Sequence, residues 1–146
     1  MEYIYSFHGE CEDKAILGNK GANLVTMTKL GLAVPAGFVV SVQGYNEYKK
    51  SGRLSEKEIS QALADLEKEV KAKLGKGLQV SVRSSAPVSM PGMMDTVLNI
   101  SGLSEMRAAI RRIFDSWDNI RAIEYRRLNQ ISSDLGTAAV VQAMVF

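Results

Sequence analysis

Apolar and polar positions follow a strand-like pattern in four parts of the chain. Side chains alternate over Tyr3–Phe7, as expected for a half-buried strand, and a second strand is predicted around Phe38–Val40. Near-continuous apolar character over Leu78–Val82 predicts a strand that is buried on both faces. The run Ala139–Phe146 also predicts a strand, which we expect at an open edge of the sheet.

Helical spacing predicts two short elements in the first third of the chain. A glycine turn over Gly18–Gly21 is expected to open a helix that ends near Gly31. Ser41 is expected to cap a second helix, which runs through Lys50 and stops near Gly52. The apolar residues that recur on the first helix are Leu24, Met27 and Leu30.

A third helix is predicted to begin at Ser55. Ser55 and Glu58 have the spacing of a capping box, in which the two residues satisfy each other's free backbone N–H groups. Glu67 and Lys71 form an i,i+4 pair on the solvated side. One apolar stripe is expected in the core, and it consists of Ile59, Leu63, Leu66, Val70 and Leu74.

A second long helix is predicted over Ser104–Asn129, with an outer face rich in arginine. Acidic residues interleave with the arginines, and a mixed-sign face of this kind is usually solvated rather than bound to nucleic acid. The predicted buried residues are Met106, Ile110, Ile113, Trp117, Ile120 and Leu128. The outer arginines are Arg107, Arg111, Arg112, Arg121, Arg126 and Arg127. Strands and helices together predict an α+β (mixed α/β) fold, with a sheet flanked by helices.

Composition predicts one globular domain that binds neither nucleic acid nor membrane. The chain has 146 residues, 46% of them hydrophobic, and a formal net charge of +2, so no basic surplus calls for a nucleic acid. It has no apolar run of membrane-spanning length and no signal-like start. The single cysteine, Cys11, fits a reducing compartment and predicts a cytoplasmic location.

The clearest chemical signal is Arg83, which follows the predicted strand Leu78–Val82 and precedes a loop rich in Pro, Gly and Met. An arginine presents a planar fork of charged donors that matches phosphate oxygens. Gly92 lacks a β-carbon, so the loop backbone can approach a ligand closely. Two interpretations stay open: a polyphosphate site, or an arginine paired with a surface carboxylate beside an ordinary turn.

Three sequence blocks resemble the pyruvate phosphate dikinase family. VSVRSSAPVSMPGMMDTVLN, at 80–99, resembles the family's VRSGA followed by SMPGMMDT. LGNKGANL, at 17–24, resembles LGGKGANL, and GTAAVVQAMVF, at 136–146, resembles GTAVNVQAMVF. Phosphoenolpyruvate synthases share the VRSS beginning but lack MPGMMDT, so the resemblance favours the dikinase.

The resemblance implies an ATP-grasp type nucleotide-binding domain. In the family, this domain moves phosphate from ATP to a histidine on a swivelling domain, and a third domain makes phosphoenolpyruvate from pyruvate. Residues 1–146 would then be a single domain, an N-terminal fragment that ends within the full domain near 137–146 and is inactive alone. The absent half would supply the Mg²⁺ ligands and much of the adenine pocket. The implied partners are ATP, the phosphohistidine and pyruvate/PEP domains, and a second subunit in a homodimer.

The resemblance also assigns candidate site residues. Lys20 and Arg83 would contact the ATP phosphates as the catalytic pair, and Thr137 would lie by the nucleotide. The remaining candidates for phosphate binding are Ser84, Gly92, Met93, Met94 and Asp95.

Several of these roles have ordinary structural alternatives. Ser84 and Ser85 either bond phosphate or cap the turn, and the methionines either cover the phosphates or fill gaps in the core. Asp95 either helps to place Mg²⁺ or bonds backbone at a turn. Arg126 and Arg127, which resemble the family's YRR, are either structural or close to the nucleotide.

One departure from the family pattern lies near Gly102 and Leu103. There the chain passes directly into the arginine-rich helix, whereas bacterial and plant members carry a helical insertion. Two other functions remain in view: a stand-alone nucleotide-binding or regulatory module that has lost catalysis, and a nucleic-acid-binding protein that uses the arginine-rich helix.

Overall fold

A five-stranded antiparallel sheet forms the centre of the computed structural model, which describes residues 2–145. The strands in chain order are β1 (Ile4–Ser6), β2 (Gly37–Val40), β3 (Lys73–Leu74), β4 (Gly77–Leu78), β5 (Val80–Ser85), β6 (Thr96–Ile100) and β7 (Ala138–Ala143). The sheet has the order β1-β2-β7-β5-β6, and β3 and β4 pair with each other outside it. Helices pack on both faces of the sheet, which confirms the predicted α+β fold.

The sequence predicted β7 as an edge strand, but β7 lies in the middle of the sheet, between β2 and β5. It pairs with β2 from Gly37 opposite Gln142 and with β5 from Ser85 opposite Ala138. Residues Ala138–Val141 are fully buried, because successive side chains enter cores on opposite faces of the sheet. The edges are β1 and β6, and Phe146 lies outside the described residues.

The first helix, α1 (Lys14–Lys29), covers one face of the sheet and is interrupted at Gly18. It begins earlier than predicted, because Asp13 accepts a hydrogen bond from the Ala15 N–H. Of the three apolar residues predicted from helical spacing, Leu24 packs against the core, whereas Met27 and Leu30 are exposed. The buried residues are instead Leu17, Gly18, Gly21, Ala22 and Val25. Small residues face the sheet here because space is short: a β-carbon on Gly21 would lie 3.2 Å from Val39 Cγ2.

The second helix, α2 (Val42–Ser51), has the predicted ends. The Ser41 hydroxyl accepts a hydrogen bond from the Gly44 N–H, at 3.3 Å. Gly52 ends the helix in the left-handed conformation, with φ of 75°.

The third helix, α3 (Glu56–Val70), buries the predicted Ile59, Leu63 and Leu66 against the opposite face of the sheet. Leu74 lies beyond the helix in β3, because Lys71 turns the chain through a left-handed conformation with φ of 58°.

Two electrostatic predictions for α3 were wrong. Ser55 makes no capping hydrogen bond, and the Glu58 carboxylate accepts from the Tyr3 N–H at 3.2 Å. Glu67 pairs with Lys73, at 3.6 Å, rather than with Lys71. Contacts with β1 and with the turn after α3 therefore replace the local contacts that the sequence pattern favoured.

The predicted helix over Ser104–Asn129 is two helices, α4 (Leu103–Ser116) and α5 (Ile120–Leu128). Asn119 caps α5 by accepting from the Ala122 N–H at 2.7 Å. Met106, Ile110, Ile113 and Trp117 are buried as predicted, but Ile120 and Leu128 are 81% and 69% exposed. Within residues 2–145, no helix is long and apolar enough to cross a membrane.

Arg126 is buried and not on the outer face, because it stacks on Trp117. Its guanidinium lies 3.9 Å from the ring centre, and Nη1 donates to the Trp117 carbonyl at 2.7 Å. Nε donates to Ser133 in a short 3-10 helix (Ser133–Leu135). Arg127 is exposed and pairs with Glu124 at 2.8 Å. The structure thus gives Arg126 an architectural role at the junction of α4 and α5.

Candidate functional site

A cleft of about 280 Å³ lies where α1, β5 and the loop before β6 meet. Lys20 lines one side, Ser84 and Ser85 lie on the strand, and Gly92 and Met94 belong to the loop. These include four of the predicted site residues, Lys20, Ser84, Gly92 and Met94, from two separate sequence blocks. The other lining residues are Asn19, Ala86, Val88, Ser89, Met90, Pro91 and Thr96.

The sequence predicted Arg83 just after the end of its strand, but Arg83 lies within β5. The strand continues to Ser85, and Arg83 is opposite Val140 in β7 and Thr96 in β6. Its Nε is buried and has no hydrogen-bond partner among the described residues. Since a buried charged donor is costly when unsatisfied, this atom is suited to an acceptor from a ligand.

Lys20 follows the interruption of α1 at Gly18 and lies near Arg83. Desolvation by the surrounding protein lowers the pKa of the Lys20 ammonium, and the charge of Arg83 lowers it further. The residue as a whole still contacts solvent. No described carboxylate forms an ion pair with either cation.

A helical segment does begin after Gly18, as predicted, because Gly18 leaves the helical conformation and divides α1 into two segments. Two N–H groups near the start of the second segment already have protein partners. Asn19 donates to the Ala86 carbonyl at 2.8 Å, and Gly21 donates to Ser85 Oγ at 2.9 Å. The Lys20 and Arg83 side chains add full positive charges at this point.

The loop from Ser89 to Asp95 combines a core anchor with an open tip. Met90 is buried in the main core, and Met93 and Met94 pack against that core. Gly92 is exposed with φ of 73°, and a β-carbon there would meet no atom within 4 Å. The methionines thus do pack in the core, and Gly92 and Met94 also line the cleft.

Asp95 bonds arginine side chains, not backbone. Its carboxylate lies 2.8 Å from Arg112 Nε and 3.7 Å from Arg121 Nη2. Asn119 Nδ2 also donates to the Met93 carbonyl at 3.0 Å, so α4 and the start of α5 hold the end of the loop. Residues 2–145 contain no cluster of three His, Cys, Asp or Glu side chains that could hold a metal ion.

Thr137 is fully buried behind the cleft and does not line it. Its Oγ1 accepts from the Ser85 N–H at 3.2 Å and donates to the Ala138 carbonyl at 2.8 Å. A direct contact of Thr137 with a nucleotide stays a prediction. Ser85, which the sequence left as a turn cap or a phosphate ligand, is the centre of the hydrogen bonds behind the cleft.

Charge separates this cleft from three larger grooves. One groove of about 380 Å³, between β1 and α3, is lined by Glu2, Glu58, Asp65 and Glu69. Another of about 610 Å³ has three glutamates beside one arginine and one lysine. A polyphosphate would be repelled or poorly neutralised in both, and a third groove of about 470 Å³ has Asp95 and Asp115 beside Arg112 and Arg121. No carboxylate lines the cleft, whose one charged lining residue is Lys20; Arg83 is not a lining residue but lies near Lys20.

Comparison with known proteins places the chain in a nucleotide-binding family. Residues 54–146 match the family described as "Pyruvate phosphate dikinase, AMP/ATP-binding domain". The chain belongs to this family, as the resemblance in its sequence blocks had indicated.

Individual relatives extend the similarity over most of the chain. It is 31% identical to a chloroplastic pyruvate, phosphate dikinase of Flaveria bidentis, with 94% of this chain covered. It is 29% identical to the pyruvate, phosphate dikinase of Clostridium symbiosum, with 99% covered. It is 47% identical to pyruvate, phosphate dikinase 2 of Zea mays over 66% of the chain.

These relatives are much longer than this chain. The chain spans 24% of the Flaveria bidentis protein, 28% of the Clostridium symbiosum protein and 12% of the Zea mays protein. The Clostridium symbiosum alignment runs over 243 positions, more than the 146 residues here. It therefore includes segments of the Clostridium symbiosum protein that have no counterpart in this chain. This agrees with the expected loss of an insertion.

Proposed function

We propose that this chain binds the triphosphate of ATP in a pyruvate, phosphate dikinase. The single observation that carries the proposal is the buried, unpartnered Nε of Arg83 close to Lys20, beside a cleft with no carboxylate on its walls. Two neighbouring cations without a protein counter-ion favour a ligand with several negative charges. Membership of the AMP/ATP-binding family supports a nucleotide as that ligand.

Each part of the cleft has a chemical role in this proposal. Lys20 and Arg83 neutralise the negative charge of the phosphates, which is the largest barrier to attack on a phosphoryl group. The open backbone around Gly92 approaches the phosphates from the loop side, and Ser84 offers a hydroxyl from the strand. These groups bind and orient the transferring phosphate without forming a covalent bond to it.

The phosphate acceptor in the proposed reaction lies on another part of the enzyme. A histidine of a swivelling domain would take the phosphate, and a further domain would pass it to pyruvate to form phosphoenolpyruvate. His8 is a poor candidate for this acceptor, because it does not line the cleft and it matches no block of the family's phosphohistidine motif. The chain alone is therefore proposed to bind nucleotide without turnover.

We propose that residues 1–146 form one domain, which is the N-terminal part of an ATP-grasp unit. The rest of that unit would hold the adenine and the Mg²⁺ ligands, and the full enzyme would be a cytoplasmic homodimer. The modest share of each relative that the chain covers supports the presence of further domains in the complete protein.

An amide-resolved NMR titration with Mg·ATP tests the proposed site. We expect shifts at Lys20, at Ser84 and around Gly92, and we expect Arg83→Ala to abolish them. Arg53→Ala is the matched control, because Arg53 is exposed and its side chain makes no described hydrogen bond or ion pair; its one described bond is from the backbone N–H to Ser51 Oγ. A chain continuing past Phe146 should bind ATP more tightly. If neither length bound ATP, the proposal would be wrong.

A further inference from the structure

One serine hydroxyl joins the interrupted helix α1 to strand β5. Gly18 leaves the helical conformation, with φ of 73° and ψ of 169°, so backbone groups on either side of it need other partners. Ser85 Oγ donates to the Leu17 carbonyl at 2.8 Å and accepts from the Gly21 N–H at 2.9 Å. The same hydroxyl therefore satisfies one backbone group before the interruption and one after it.

The surroundings of Ser85 leave little freedom for this arrangement. Its side chain is buried, and its own N–H donates to Thr137 Oγ1 at 3.2 Å. A β-carbon on Gly18 would lie 1.8 Å from the Ser85 carbonyl oxygen, so only glycine allows α1 to approach the strand this closely.

Lys20 lies between Asn19 and Gly21, whose backbone N–H groups donate hydrogen bonds to the end of β5 and to the residue that follows it. Asn19 bonds the Ala86 carbonyl at 2.8 Å, and Gly21 bonds Ser85 Oγ. Arg83 is two residues before Ser85 on the same strand, and residues two apart point to the same face. The contacts of Ser85 therefore fix the backbone that carries Lys20 relative to the backbone that carries Arg83.

We propose that Ser85 is a positioning residue that sets the Lys20 ammonium beside the Arg83 guanidinium. The inference rests on the proposed function, because it concerns the same site. Ser85 acts through Lys20 and not on the ligand: its only hydroxyl proton is already donated to Leu17. It differs in this from Ser84, whose hydroxyl makes no described hydrogen bond and lines the cleft.

Ser85→Ala tests this role, with Ser81→Ala as the matched control. Ser81 is a buried serine on the same strand and makes no described side-chain hydrogen bond. The first readout is the pKa of Lys20 in the nucleotide-free protein, measured by NMR at the side chain. The second is the Kd for Mg·ATP.

We expect Ser85→Ala to raise the Lys20 pKa toward its usual value, because the ammonium is freed to move away from Arg83 into solvent. We expect the same variant to weaken ATP binding roughly three- to tenfold, as befits the loss of one buried hydrogen-bonding group. Ser81→Ala should change neither quantity. Equal behaviour of the two variants would overturn the inference.

Two features keep the test decisive. If neither this chain nor a longer chain binds ATP, the proposed function fails, while the Lys20 pKa in the free protein still judges the role of Ser85. If Ser85→Ala does not fold, hydrogen exchange of the Gly21 amide in the wild type decides. Exchange slowed on the order of a hundredfold or more supports the bond to Ser85, and exchange at the rate of an unstructured amide overturns it.

Discussion

Lys20 lies close enough to Arg83 for the guanidinium charge to lower the Lys20 pKa, and no described carboxylate pairs with either side chain. The ligand-free protein therefore holds two like charges together at a cost. An anion between them would remove that cost, which makes the arrangement unfavourable for stability and favourable for binding.

Lys20→Met is expected to stabilise the nucleotide-free protein while it weakens ATP binding. The substitution removes one of the two like charges and the desolvation of the ammonium. Because Lys20 still contacts solvent, we expect a rise in Tm of only about 1–2 °C. Thermal unfolding with and without Mg·ATP measures both effects. A Lys20→Met protein with lower Tm and unchanged ATP affinity would contradict this prediction.

The affinity for ATP should fall in alkaline solution. Binding of phosphates favours the protonated Lys20, so ATP affinity declines as pH rises through the lowered pKa of the free protein. The stability of the free protein should instead rise with pH between the lowered pKa of folded Lys20 and its higher pKa in the unfolded chain. Over that range Lys20 loses its proton in the folded protein, and the repulsion from Arg83 is removed. Calorimetric titration between about pH 7 and pH 11 measures the affinity. Lys20→Met should lose this part of the pH dependence, and an equal slope in both proteins would refute the assignment.

Gly18→Ala is expected to destabilise the fold strongly, at a position where helix propensity alone would favour alanine. The new methyl group would collide with the Ser85 carbonyl, and φ of 73° is strained for alanine. We expect a loss of about 3 kcal/mol or more in urea unfolding. Gly31→Ala is the control, because Gly31 has φ of 79° but nothing within 4 Å. Its cost should stay near about 1 kcal/mol, and equal costs would show that the close approach at Gly18 does not matter.

Arg126→Lys is expected to cost about 2–4 kcal/mol of unfolding free energy, although the charge is kept. Lysine can neither stack flat on Trp117 nor reproduce the bonds to the Trp117 carbonyl and Ser133. The neighbouring Arg127→Lys changes only an exposed ion pair with Glu124 and should leave the denaturant midpoint nearly unchanged. Denaturant titrations of the two variants measure the difference, and similar midpoints would disprove the structural role of Arg126.

Local signals in the sequence were sufficient for some elements. Ser41 and Gly52 predicted both ends of α2, because a helix cap and a left-handed stop depend on residues within the element. The sequence blocks around Lys20, Arg83 and Gly92 predicted that residues far apart in the chain would form one site, and the structure does bring them to one region.

Other features depend on tertiary contacts that no local pattern contains. The helical period of 104–129 continues through Trp117, but Asn119 caps a new helix there and Arg126 bonds back to Trp117. The contacts of Ser85 join residues 64 and 68 positions away in the chain. The VRSS and LGNKG blocks predicted Arg83 and Lys20 as parts of one site, but they did not predict the Ser85 contact between the two segments.

The most direct test of the central claim compares ligands that carry the parts of ATP separately. Isothermal titration would measure inorganic tripolyphosphate and adenosine against the wild type and Arg83→Ala. The account predicts that tripolyphosphate binds the wild type, competes with ATP and loses at least about tenfold in affinity in Arg83→Ala, as expected for a charged donor. Adenosine should bind weakly and equally to both. Binding of adenosine alone, or tripolyphosphate binding that ignores Arg83, would contradict a triphosphate site at Lys20 and Arg83.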